Sequence, residues 1–467
     1  MIAIVAVLLL GVAVVRFLAV RRTIAVDVPV PADLEKLDPQ LRAYLERQLM
    51  WVQEEPADPA RQATLGIVYA ANQLWTEARG CFSNVTRLDR NEALGHLYFA
   101  VASQEAGDYA GGLQLLRQTT KQFPGFAPAY ERLGTALLRA GNTDEAEKAF
   151  QRLVELAPDE SRGYAGLGEV NLRQNKFADA ARLLEKARGI EPKSRMIDHL
   201  LGLAYRGLGR TAEAEWELRV GLNAVQTPMP DEWSQAALEH VRLLPQQIEL
   251  ANDYLSEGRP TDVLRILSEA AKYHPADLTV LEYLGQAHRS LNQFKQARRI
   301  AETMLSLNER SVSAHVLMAD VCLDLELKAE AMIHADRAVA LGPDLARPYL
   351  VKADVLFALG RNEEGLRARQ EALKRDPQNP LIAVDIGDAL LRLLGRPEEA
   401  EHSYEQAIAL NSALPLAYLR LAEAATQLHQ SDRARDALAR VRKLDPDSPD
   451  LAPLEARLAE QGKASRP

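Results

Sequence analysis

The sequence predicts an all-α solenoid of about eleven helix-turn-helix repeats behind an N-terminal apolar helix long enough to span a membrane. Three observations carry this reading. A 34-residue pattern restarts eleven times between residues 59 and 448, a period that suits one pair of packed helices per copy. Position 8 of every copy is Gly or Ala, as two closely crossing helices require. Pro recurs at position 32, as in Pro124, Pro158, Pro192, Pro275, Pro343, Pro377 and Pro446, where it ends a second helix by lacking a donor and disfavouring helix before it.

Residues 1–22 read as the anchor. Met1 to Val15 is unbroken apolar sequence, and Phe17 to Val20 extends it past Arg16 to about the 20 residues that cross a bilayer. Arg21 and Arg22 stop it. An uncharged start and the lack of a small-x-small cleavage site favour an uncleaved helix over a signal peptide. Basic residues on its C-terminal flank place the repeats in the cytoplasm, whereas an upstream basic segment would make them periplasmic. Residues 23–58, with Pro29, Pro31 and Pro39, read as an extended stalk and a short helix, Leu41 to Glu54.

Copies one to five fill residues 59–226, starting at Pro59, Ala93, Ala127, Ser161 and Arg195. Residues 227–243 interrupt the period with Pro228-Met-Pro-Asp-Glu-Trp233, which reads as a hinge or as a lengthened helix and loop. Trp233 either packs at home or anchors a partner. Copies six to eleven fill 244–448, starting at Leu244, Leu278, Val312, Ala346, Pro380 and Pro415. Two departures stand out: Lys352 at an ordinarily apolar position 7, and one extra residue at Gly395-Arg396. Gly107, Gly141, Gly209 and Gly360 fall at the turn between the helices, where a positive φ is required. Residues 449–467 supply a capping helix, Leu451 to Gln461, and a tail.

The best-spelled copy, Ala127 to Glu160, carries Leu133, Gly134, Leu137, Gly141, Ala146, Phe150 and Pro158 at positions 7, 8, 11, 15, 20, 24 and 32. In these residues the chain resembles the tetratricopeptide repeat family, in a membrane-anchored bacterial-type form. The resemblance covers about five-sixths of the sequence. It implies a right-handed superhelix whose first helices line a concave groove, with positions 2, 5, 9, 12 and 13 facing it. It also implies a function of binding peptides or partner domains there. The tail clamp of some family members needs Lys at position 5 and Asn at position 9, which the copies do not supply.

A formal net charge of −9, and a still more acidic remainder once Arg16, Arg21 and Arg22 are set aside, argues against nucleic acid as a partner. Cys81 and Cys322 sit in separate copies and build neither a disulfide framework nor a metal site. The sequence holds no zinc-binding His-Glu-x-x-His, phosphate-cradling glycine loop or nucleophile elbow. His315, His334 and His429 read as lying on different faces of different helices. The expectation is therefore no enzyme, no cofactor and no metal.

Charge along the groove positions gives the sharpest clue. Position 9 reads Asp320, Asp354, Asp388 and Glu423 in the last four copies. First helices pack about 8 to 10 Å apart, so the carboxylates form a ladder suited to a basic segment. Asp324 lies one turn from Asp320, a like-charge pair that costs a few tenths of a kcal/mol unless a cation arrives. The competing reading is self-neutralisation, with Asp388 paired to Arg392 on its own helix and Asp354 following Arg347. The earlier copies offer Arg139, Arg173 and Arg206 at positions 12 or 13, mixed with Glu131 and Glu169. Two functions are compatible with all this. One is a membrane-tethered scaffold that binds partner protein or peptide segments, in envelope or complex assembly; the other is an accessory subunit presenting substrate to a separately encoded enzyme.

Overall fold

Each copy folds as the small-residue pattern demands. In the third, Ala127–Arg139 packs against Thr143–Leu156, with Gly134 under the ring of Phe150. The computed structural model describes residues 26–464 apart from 193, 223, 225 and 226, and among these it holds twenty-five α-helices and no strand. Pro opens several helices at a first-turn position, as at Pro59, Pro260, Pro380, Pro397 and Pro415, where its missing N–H costs nothing.

The turn between paired helices takes a left-handed residue once per repeat. Gly107, Gly141, Gly209 and Gly360 have φ of 95°, 79°, 73° and 73°, as expected of them. Gly258 and Gly395 do the same, while Gln73, Asn175, Asn292, Glu326 and His429 hold φ between 57° and 61° in the remaining repeats. A non-glycine residue there costs roughly 1 to 2 kcal/mol, which packing of the two helices offsets. The turn geometry is thus more regular than its sequence.

The departures from the period are absorbed locally. The extra residue of the tenth copy is taken up by a π segment, Ala389–Leu393, after Pro380–Asp388. This widening is the usual accommodation of a one-residue insertion in a helix. It returns Tyr404 to its place over Gly387, fully buried. Lys352 reaches Asp336 at 2.7 Å, so its charge is paired.

The chain divides into two compact units. The first comprises the described residues up to Pro158 together with Pro228–Leu243. Its core gathers Leu45, Leu65, Tyr69, Phe82 and their neighbours. The proposed stalk is docked rather than free: the Tyr69 hydroxyl donates to Pro29 O at 2.7 Å, and Asn84 Nδ2 donates to Asp27 O at 2.8 Å. The interrupting segment belongs to this unit too, because Trp233 stacks on Phe82 with centroids 5.7 Å apart.

The second unit comprises Asp159–Thr227 and the residues from Leu244 onward. Within it the fifth repeat meets the eleventh: Lys443 Nζ lies 3.2 Å from Glu217, which also pairs with Arg188 at 2.9 Å, and Trp216 faces Tyr418. Helix Leu451–Ala464 covers the last repeat through Leu451, Leu454 and Leu458.

The membrane assignment is corrected. Among the described residues no helix is long and apolar enough to cross a membrane, so a single-pass anchor and the localisation built on it are not supported. The segment 1–22 that suggested it lies outside the described residues.

Candidate partner-binding groove

The acidic ladder is present in the second unit, and an arginine ladder answers it. Asp320 sits on Val312–Asp324 with 6% of its surface exposed, between Arg289 at 3.1 Å and Arg347 at 2.8 Å. Asp324 receives both Nε and Nη2 of Arg289, at 2.6 and 3.3 Å. Asp354 pairs with Arg369 at 2.8 Å. Asp388 accepts from the Tyr404 hydroxyl at 2.8 Å and lies 3.3 Å from Arg420, while Glu423 lies 2.9 Å from Arg392 and 3.3 Å from Arg420.

Asp320 and Asp324 are therefore not the unneutralised pair the sequence suggested. Arg289, from the preceding repeat, lies between them and offsets their repulsion. Arg392 also bypasses Asp388 on its own helix and reaches Glu423 in the next repeat. Burial pushes the Asp320 carboxyl above its ordinary range, and Arg347 and Arg289 partly oppose that shift. Each ladder carboxylate thus has an arginine of the chain beside it, and a basic partner is not shown.

Sequence reasoning weighed Arg347 and Arg392 as counter-charges but overlooked Arg289, Arg369 and Arg420. The available signal was Arg369, at a second-helix position where other repeats bury Phe82, Leu116 or Phe150. A cation at a core position requires a counter-charge nearby, and Asp354 supplies it.

The earlier arginines are arranged differently. Arg139 and Arg206 are exposed at the ends of their first helices, and Arg173 holds Glu169 at 2.8 Å. Arg173 and Arg206 come together on the rim of a cleft of about 630 Å³ across the fourth and fifth repeats. Leu172, Phe177, Met196, His199, Leu200 and Leu203 form its floor and walls. Most of these are the positions that the family resemblance assigns to the groove. Arg139 belongs to the other unit and does not join them. A second, more polar cleft of about 640 Å³ lies further along, lined by Glu282, Gln286, Arg289, Asp324 and Arg347.

The histidine expectation is corrected in part. His315 and His334 face one another, with Nδ1 atoms 3.0 Å apart, while His429 occupies a turn. Among the described residues no group of three or more His, Cys, Asp or Glu is placed to hold a metal ion. Cys81 and Cys322 are both buried, free thiols.

Two family models described as tetratricopeptide repeat match this chain, one at residues 104–169 and 391–458, the other at 165–220 and 350–393. A third, anaphase-promoting complex, cyclosome, subunit 3, matches residues 262–338. The tetratricopeptide repeat-containing protein trd-1 of Caenorhabditis elegans is 24% identical over 263 residues, which is 53% of this chain and 33% of that protein. A DnaJ homolog subfamily C member 7 homolog of Schizosaccharomyces pombe is 24% identical over 323 residues, covering 65% and 60% respectively. The chain thus spans less than two thirds of either relative. Among solved structures, yeast Tom70 is 13% identical with a TM-score of 0.42, covering 88% of this chain and 97% of that one. Cut9-Hcn1 of the APC/C is 14% identical with a TM-score of 0.40, covering 92% and 91%.

Proposed function

We propose that this tetratricopeptide-repeat protein is a binding scaffold, and that its second unit takes partner peptide segments in the cleft of the fourth and fifth repeats. One observation carries the reading: an open apolar floor of Leu172, Met196, Leu200 and Leu203 with the exposed guanidinium of Arg206 on its rim. Apolar floors with a few placed polar groups suit short-segment recognition, the floor giving affinity and the charge orientation. The ligand that fits is a segment with an apolar anchor beside a carboxylate. The acidic ladder is a weaker candidate for holding a basic segment, because its own arginines already occupy the carboxylates.

The test is peptide-display panning on the full chain, followed by titration of enriched peptides against Leu203→Glu and Arg206→Glu proteins. Enriched sequences should pair an apolar residue with Asp or Glu, and each substitution should weaken them at least tenfold. Peptides that bind both variants as well as the unaltered protein refute this site. Salt should weaken binding to the unaltered protein more than to an Arg206→Gln variant.

A further inference from the structure

The segment that breaks the period makes the contacts of a bound ligand. Within the first unit, residues 228–243 lie against the first two repeats, and three groups of those repeats recognise them. Asn72, at the end of Pro59–Ala71, has 2% of its surface exposed and spends its side-chain amide on the passing backbone. Its Nδ2 donates to His240 O at 2.8 Å, and its Oδ1 accepts from the N–H groups of Arg242 at 2.7 Å and Leu243 at 3.2 Å. The second Nδ2 bond, to Val68 O at 2.8 Å, fixes the amide from behind. Such a pair of contacts reads main chain, and main chain is common to every peptide.

Side-chain selection comes from the neighbouring aromatic groups. Trp233 stacks on Phe82 and tilts against Tyr98, with centroids 5.7 and 5.4 Å away. The Tyr98 hydroxyl donates to both oxygens of Asp231, at 3.0 and 3.1 Å. Asp231 in turn caps Glu232–Glu239 with a capping box shared with Ser234. The recognised unit is an acid, an aromatic residue two positions later, and one short helix.

Val241 is buried and Trp233, Ala237 and Leu243 pack against the core, but two features mark the helix of this segment as an occupant resting on that core. Helix Glu232–Glu239 buries none of its residues fully, whereas Phe82, on which its Trp233 stacks, is fully buried. Eight residues are also too few for a stable isolated helix, so its order depends on the surface it rests on. We propose that the face made by Asn72, Phe82 and Tyr98 is a peptide-binding site held in cis by residues 228–243. A partner segment of like chemistry, Asp-x-Trp or its close equivalent at the start of a short helix, displaces it. This rests on the scaffold reading above but concerns a different unit and different residues, so either can fail alone.

The probe is a fluorescent synthetic peptide with the sequence of residues 228–243, titrated into the full chain. Trp233→Ala weakens the cis occupant, and that variant should bind the probe at least tenfold more tightly than the unaltered protein. Adding Asn72→Ala or Tyr98→Phe to it should reverse the gain. Asp231→Asn, which keeps a good N-cap but removes the charge facing Tyr98, should give a smaller gain in the same direction. A second measurement needs no variant: saturating unlabelled peptide should raise hydrogen exchange of the amides in 232–239 of the unaltered chain. The proposal is overturned if exchange there is unchanged by saturating peptide, or if the folded Trp233→Ala protein binds the probe no better. Binding that ignores Asn72 and Tyr98 overturns it as well.

Discussion

Gly134 and Phe150 form a pair whose coupling the structure predicts with a sign. A Cβ on Gly134 would fall 2.6, 2.7 and 2.9 Å from Cζ, Cε1 and Cδ1 of Phe150. Ordinary carbon contacts lie near 3.5 to 4.0 Å, so the overlap approaches an ångström. Phe150 is 1% exposed, so its ring cannot yield without disturbing the side chains that bury it. Gly134→Ala should therefore cost about 1 to 3 kcal/mol in overpacking, against a gain of about 1 kcal/mol in helix propensity. The second repeat shows the alternative solution, Ala100 with Leu116, both fully buried. With Phe150→Leu in place, Gly134→Ala should change sign and stabilise by up to about 1 kcal/mol, which makes a coupling of about 1 to 3 kcal/mol. Urea unfolding of the four proteins in the cycle, with hydrogen exchange of 127–156 as the local readout, measures it. Equal effects of Gly134→Ala in both backgrounds, to within about 0.5 kcal/mol, refute the argument.

Asp320→Asn should lower stability by about 1 to 3 kcal/mol, because it removes the carboxylate held between Arg289 and Arg347; an unchanged urea midpoint would show that the ladder is not structural. Burial, with the Glu217 carboxylate beside it, pushes Asp198 up to about 6. Its folded pKa exceeds the unfolded value near 4, so it contributes stability below about pH 4 that is lost as pH rises through 6, amounting to at most about 3 kcal/mol. Asp198→Asn should flatten the change in urea midpoint between pH 4 and 7.5. His315 and His334 behave oppositely: burial lowers both, with Arg337 adding to the effect on His315 and His315 itself to that on His334. The opposing pulls of Glu309 on His315 and of Glu330 on His334 are smaller than burial, and Arg298 adds to the lowering of His334. Their neutral pairing stabilises above about pH 6.5 and is lost as pH falls below it, so ring-proton titration should give midpoints below the free imidazole value.

The helix pairs were legible because many repeats state their close contact twice, once as a small residue and once as the large one opposite, although the seventh and eighth carry Ala301 and Ala335 there. Rings at Phe82, Phe150 and Tyr404 all stand over glycine, at Gly66, Gly134 and Gly387, while leucine occurs with either small residue, as Leu184 over Gly168 and the equivalent positions Ala100 and Leu116 show. The left-handed turn was only half legible, since Gln73 and Glu326 adopt it without any sequence signal of their own. The division into two units was not legible. A period records which residues are equivalent, and equivalence holds whether or not one copy stacks on the next.

The acidic ladder shows the same limit in the site. Reading one position through successive repeats collects residues of one kind, so Asp320, Asp354, Asp388 and Glu423 look like a continuous negative stripe. Their counter-charges come from several positions: Arg289 near the end of a first helix, Arg347 near the start of another, Arg369 from a second helix. These pairs, within one repeat for Asp354 with Arg369 and between neighbouring repeats for the others, join residues about 15 to 35 apart in sequence, a separation that neither the i,i+4 rule nor the 34-residue period projects onto one line. A groove position is therefore evidence of a ligand only after the arginines of its own and both neighbouring repeats have been counted. On that criterion Arg206, exposed on the rim of an apolar cleft, is better placed to meet a partner's carboxylate than Asp320, enclosed by two guanidiniums, is to meet a partner's lysine.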